Sequence, residues 1–97
     1  LRKDLDISAV TLATRFQLYK KKIIDARIAF GGVGPIVLRL KNIESRWQGQ
    51  EFNKALFTEL AAHISDHVAP ISDVRGSKEY RLLLCRNLLL KMAEEFS

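Results

Sequence analysis

Cysteine is almost missing from this chain of 97 residues, and Cys85 stands alone. One thiol excludes an internal disulfide and any cysteine-built metal cluster within the chain, and it is compatible with a reducing compartment. Proline is scarce at two residues, and no apolar run approaches the roughly 20 residues that a membrane-spanning helix needs. The opening residues Leu1-Arg2-Lys3-Asp4 carry neither an initiator methionine nor the apolar stretch of a signal peptide. The expectation is a piece of a longer polypeptide that does not enter a membrane.

A one-signed charge pattern is missing too. The formal net charge of +5 raises nucleic acid as a partner. The basic residues nevertheless alternate with acids, and no aromatics are interleaved as in a base-stacking platform, so no nucleic acid is expected. The densest basic run, Lys20-Lys21-Lys22, falls between two strand patterns, where a solvated hairpin tip accounts for it. With 47% apolar and 28% charged residues, 1–97 reads as one domain of ordinary globular composition.

What is present is organised around Arg27-Ile28-Ala29-Phe30-Gly31-Gly32-Val33-Gly34-Pro35. Ile24, Ala26, Ile28 and Phe30 recur at every second position, which places them on one face of a strand. The three glycines and the proline then mark a tight strand exit with φ > 0, or a backbone passing close to a ligand or a neighbouring domain. Upstream, Ile7 to Tyr19 alternate, with Val10, Leu12, Phe16 and Leu18 on one face and Ala9, Thr11, Ala13, Arg15 and Gln17 on the other. This predicts one long strand, paired through the lysine turn with Ile23–Phe30. Ile36-Val37-Leu38 reads as a short third strand after Pro35.

Helical spacing follows. Leu40, Ile43 and Trp47 share a face and Gly49 supplies a stop; Asn53 is an N-cap, followed by the stripe Leu56, Phe57, Leu60, Ile64 and Val68, closed by Pro70. Ser77 caps a last helix whose stripe is Leu82, Cys85, Leu89, Met92 and Phe96, which makes Cys85 a buried structural thiol. A second apolar set, Tyr80, Leu83, Leu84 and Leu90, predicts either burial on both sides or docking on a neighbour, including a second copy of the chain.

Candidate chemistry is sparse. Gly31-Gly32-Val33-Gly34 lacks the G-x-G-x-x-G spacing of a dinucleotide site and the Lys-Ser/Thr of a P-loop. His63 and His67, four apart, are either a metal pair or half-buried residues near a helix C-terminus; the second reading is preferred, because no further ligand accompanies them. Asp73, Arg75 and Arg81 could bind an anion, but an Asp–Arg loop clamp is more economical. No nucleophile–base–orienter set is found, and no catalytic or metal-binding residue is assigned.

Four ordered segments carry more. They are Lys3 to Val10, Ala26 to Val33, Glu44 through Trp47 to Gly49, and Asp73 to Arg81. Together they resemble the C-terminal domain of the FAD-binding part of molybdenum hydroxylases, the xanthine dehydrogenase and carbon monoxide dehydrogenase family. The D-I-S-A-V opening and the A-F-G-G element are most similar to the bacterial xanthine dehydrogenase small subunit. The resemblance implies an α+β domain, an antiparallel sheet of three or four strands with about three helices on one face. It implies an accessory role beside FAD, which a preceding domain holds, with the molybdenum cofactor and iron–sulfur clusters elsewhere. Electrons would pass from those centres through FAD to NAD or another acceptor, in a cytoplasmic oxidoreductase of purine metabolism. The implied partners are that upstream domain and the iron–sulfur and molybdenum domains or subunits. Some members place a lysine near the flavin two residues after the isoleucine that opens the first strand. Here that position is Ala9, so the resemblance gives Asp6, Ser8 and Ala9 as a flavin neighbourhood. By itself the domain would be inactive. The alternative reading is a stand-alone protein-interaction module without a cofactor.

Overall fold

In the computed structural model, residues 1–7, 10–69 and 77–96 are described. Four strands, β1 (Arg2–Ile7), β2 (Val10–Tyr19), β3 (Lys22–Gly31) and β4 (Leu38–Arg39), form one antiparallel sheet in sequence order. Helices α1 (Lys41–Trp47), α2 (Lys54–Ala62) and α3 (Lys78–Glu95), with a 3₁₀ turn at Ile64–Asp66, cover one face of it. The expected α+β architecture is present.

The alternation in β2 dictates that covered face. Val10, Leu12, Thr14 and Phe16 are buried while Thr11, Ala13, Arg15 and Gln17 are exposed. Three features depart from expectation. The pattern from Ile7 to Tyr19 is two strands rather than one, with Ile7 opposite Val10 across the reversal. The apolar phase shifts by one residue here, from Leu5 and Ile7 to Val10 and Leu12, and a single long strand passes over that shift. In β3 the core residue is Ile23, at 1% exposure, rather than Ile24, at 49%. Gln17 faces Asp25 but the next residue, Leu18, faces Ile23, leaving Ile24 as an extra residue that reverses the facing below it. Finally, β4 begins only at Leu38, and Ile36 and Val37 are exposed. Pro35 brings no N–H to a ladder, which suits a bend better than a strand.

The lysine tip is present. Lys20 and Lys21 both adopt positive φ, 51° and 68°, the handedness that joins two antiparallel strands through two residues. Gly49 ends α1 at φ 83°, in the left-handed region that costs glycine little. Asn53 Oδ1 accepts from the Ala55 N–H at 2.9 Å, and Ser77 Oγ accepts from the Tyr80 N–H at 3.1 Å, so both predicted N-caps are formed.

Helix α3 buries a wider arc than its predicted stripe. Cys85, Leu89 and Met92 are fully buried, but so is Leu88, and Leu84 belongs to this core rather than to the outward set. The arc is wide because α3 packs on both the sheet and α2. Of the second apolar set, Tyr80, Leu83 and Leu90 are exposed. Near the C-terminal end of α3 the core becomes aromatic: the Phe16 ring lies 5.0 Å from Phe52, 5.8 Å from Phe57, and 6.2 Å from both Trp47 and Phe96.

Because β4 is only two residues long, most of the outer edge of β3 needs other partners. The chain after α1 supplies some: the Ile23 N–H donates to Gln50 O at 2.9 Å, and the Gly49 N–H donates to Ile23 O at 2.7 Å. Higher up, Glu44 on α1 supplies a carboxylate in place of a strand. Its Oε2 accepts from the Ile28 N–H at 2.9 Å, and its Oε1 accepts from Arg39 Nη2 at 2.5 Å. Glu44 is 5% exposed, and its hydrogen bond is the main cause that raises the Arg39 pKa and holds that guanidinium in its charged form.

Candidate functional site

Strand register brings the residues of interest to one end of the sheet. Asp6 lies opposite Thr11, and Thr11 opposite Gly31, so the three form a row across β1, β2 and β3. Asp6 is exposed there. Ser8 and Ala9, the other two residues of the expected flavin neighbourhood, lie outside the described residues.

Directly past this row the chain turns at Gly32, with φ 83°, which is the strand exit expected of the glycine run. Val33 then folds back into the core at 3% exposure. Arg81, in the first turn of α3 and only 4% exposed, donates from Nη1 to the Gly32 carbonyl. Arg81 thereby fastens the start of α3 to the glycine exit, a contact other than the Asp–Arg loop clamp expected of it. Asp73 and Arg75, expected beside it, lie outside the described residues, as does Pro70.

These contacts limit the chemistry of this end. A helix N-terminus and a glycine turn are the usual materials of a phosphate cradle. Here Ser77 already accepts from the Tyr80 N–H, and the Gly32 carbonyl already accepts from a buried guanidinium. Among the described residues, these two groups are thus engaged within the chain. Past Gly32 the surface is apolar, with Ile36 and Val37 79% and 63% exposed.

The histidines are placed elsewhere. Helix α2 stops at Ala62, so His63 and His67 do not share a helix, and His63 is exposed rather than half-buried. The chain tightens into the 3₁₀ turn at Ile64–Asp66, which brings His63 Nδ1 to 3.8 Å from Asp66 Oδ2. Among the described residues no group of three His, Cys, Asp or Glu side chains is placed to hold a metal ion. Burial pushes the Cys85 thiol up to about 11, far from the range of a nucleophilic thiolate.

Two features escaped the sequence reading. The buried Glu44 looks like any helix-surface acid until β4 is seen to be short. Arg2, Arg15 and Arg27 stand opposite one another on the open face of the sheet, and only the discovery of β1 aligns them. No helix among the described residues is long and apolar enough to cross a membrane.

Residues 1–96 match the family model of the CO dehydrogenase flavoprotein C-terminal domain. The chain belongs to this family. Over 95 residues, 98% of the chain, it is 30% identical to the glyceraldehyde dehydrogenase medium chain of Sulfolobus acidocaldarius, of which the match covers 34%. It is also 30% identical over 95 residues to the xanthine dehydrogenase FAD-binding subunit of Escherichia coli O157:H7, of which 32% is covered. The chain thus spans about a third of the length of the curated relatives it matches. Among solved structures, carbon monoxide dehydrogenase from Hydrogenophaga pseudoflava superposes with TM-score 0.80 and 20% identity, covering 98% of this chain and 35% of that one. Quinoline 2-oxidoreductase from Pseudomonas putida 86 superposes with TM-score 0.75 and 21% identity, covering 90% and 30%. At these identities the superpositions speak for the fold.

Proposed function

We propose that this chain is the accessory C-terminal domain of the FAD-binding subunit of a xanthine dehydrogenase-type molybdenum hydroxylase. The observation that carries this reading is the match of residues 1–96 to the family, together with the 30% identity to a xanthine dehydrogenase FAD-binding subunit. In this reading the preceding part of the polypeptide binds FAD, and this domain flanks it with the end of the sheet that carries Asp6 and the glycine exit; Ser8 and Ala9 complete the proposed neighbourhood by sequence. The Arg81–Gly32 clamp keeps that end in one position relative to α3. Bound FAD would relay electrons from molybdenum and iron–sulfur centres in partner domains to NAD or another acceptor. The setting is cytoplasmic purine oxidation.

The chain by itself is then inactive and colourless. Calorimetric titration of the full chain with FAD should show no binding, and micromolar affinity would overturn the division of labour. Mixed with a flavin-loaded preceding domain, the chain should associate and slow loss of the flavin. If the two do not associate, the stand-alone interaction module is the better reading.

A further inference from the structure

The open face of the sheet carries a row of like charge that the fold does not use. Arg2, Arg15 and Arg27 are direct cross-strand neighbours, with strands spaced about 4.8 Å apart. The adjacent row, Asp4, Ala13, Ala29 and Arg39, has small side chains at its centre. The two rows border a hollow of about 270 Å³, lined by Arg2, Asp4, Ala13, Arg15, Arg27 and Arg39 among others. Like charges placed directly opposite on a sheet are destabilising. Two of the three arginines relieve this with a carboxylate two residues away on their own strand: Arg2 reaches Asp4 at 3.4 Å and Arg27 reaches Asp25 at 2.7 Å. Arg15, at the centre, has Ala13 and Gln17 at the equivalent positions.

We propose that this face docks an acidic surface of a separate protein, with Arg15 at the centre of the contact. Charge complementarity selects the partner. Incoming carboxylates can pair with Arg15 and share Arg2 and Arg27, whose own pairs are exposed and easily exchanged. Nucleic acid is the weaker fit: Tyr19, 63% exposed at the lysine tip, is the one ring that the central strands present on this face, and no further ring continues a stacking platform past Arg15. The alanine floor lets a partner's backbone approach closely. A separate protein is favoured over another part of the same polypeptide because permanent contacts are the more apolar ones. Of the large exposed apolar residues, Ile36, Val37, Tyr80 and Leu83 lie off this face, on the loop after β3 and on α3, and Tyr19 and Ile24 sit at the lysine-tip end of the strands, away from Arg15. The inference does not depend on the flavin reading.

The test uses a fluorescein-labelled oligo-glutamate peptide and the full chain in low salt, read by anisotropy. Arg15→Glu should weaken binding at least about tenfold, whereas Arg46→Glu, the same charge change on exposed α1, should change it less than about twofold. Equal losses in the two variants would reduce the effect to net charge and overturn the proposal. So would tighter, Arg15-dependent binding of an oligothymidylate of equal charge, or displacement of the peptide by millimolar inorganic phosphate. Arg15→Gln should leave the melting temperature unchanged or slightly higher. A fall of several degrees would make Arg15 a structural residue and remove the premise.

Discussion

The two faces of the sheet are built from alternate residues of the same strands, yet they answer to different constraints. On the helix-covered face Val10, Leu12, Ile28 and Phe30 are fully buried, and each touches side chains from distant parts of the chain. On the other face Thr11, Ala13, Arg15 and Gln17 meet water, and a charge row persists that lowers stability if anything. A substitution in β2 should therefore be severe or silent according to the parity of its position. Position along the strand should matter much less.

The largest effect should come from the covered face. Phe16 contacts four other rings, so Phe16→Ala should cost about 3–5 kcal/mol in urea denaturation. The neighbouring Arg15→Gln should be silent by the same measure, and comparable losses at both positions would break the comparison.

Next in size is the edge of β3, which belongs to neither face. Glu44→Ala removes the acceptor of the buried Ile28 N–H and should cost about 1.5–3 kcal/mol. Glu44→Gln should recover part of this, since an amide oxygen still accepts. Equal destabilisation by both variants would show that the charge, and not the acceptor, matters.

Cys85 sharpens the account of the core through pH. Its folded thiol is pushed from the ordinary 9.0 up to about 11 by burial. The folded state keeps its proton where the unfolded state releases one, so stability is fully present below pH 9 and declines as pH rises towards 11. The urea midpoint should fall less steeply across that window in Cys85→Ala. An unchanged slope would show that the thiol is not shielded.

The smallest effects belong to exposed apolar residues. Ile24→Thr on the bulge and Leu83→Lys on α3 should each change stability by less than about 0.5 kcal/mol. The double variant Leu83→Lys, Leu90→Lys should keep its melting temperature. If sedimentation also shows the parent self-associating and the variant not, that side of α3 is an interface.

Much of this was legible in the sequence. The alternation of β2, the lysine turn, the caps at Asn53 and Ser77 and the core role of Cys85 are local signals, and each is present in the fold. The reversal after Ile7 left only a one-residue shift of the apolar phase, from Leu5 and Ile7 to Val10 and Leu12, which a single long strand passes over. The Ile23/Ile24 exchange was hidden because a bulge is a relation between two strands, invisible in either alone. Leu84 was misplaced because the stripe allowed α3 one neighbour, and it has two. At Arg81 an Asp–Arg loop clamp was expected, and nothing local in the sequence points to the contact with a carbonyl 49 residues away. Asp6 alone of the expected flavin neighbourhood can be located, at the sheet end beside Thr11 and Gly31.

The sequential strand order has a kinetic consequence. Every strand pairs with its neighbour in the chain, so the sheet can grow outward from the Lys20–Lys21 turn without closing a long loop. Helix α3 arrives from the far end of the chain, and its clamp and its salt bridge from Glu95 to Lys3 span long separations. Substitutions in the β2–β3 hairpin should then slow refolding, while those that loosen α3 should mainly hasten unfolding. Chain order thus assigns the hairpin to the rate of assembly and the last helix to the lifetime of the finished domain.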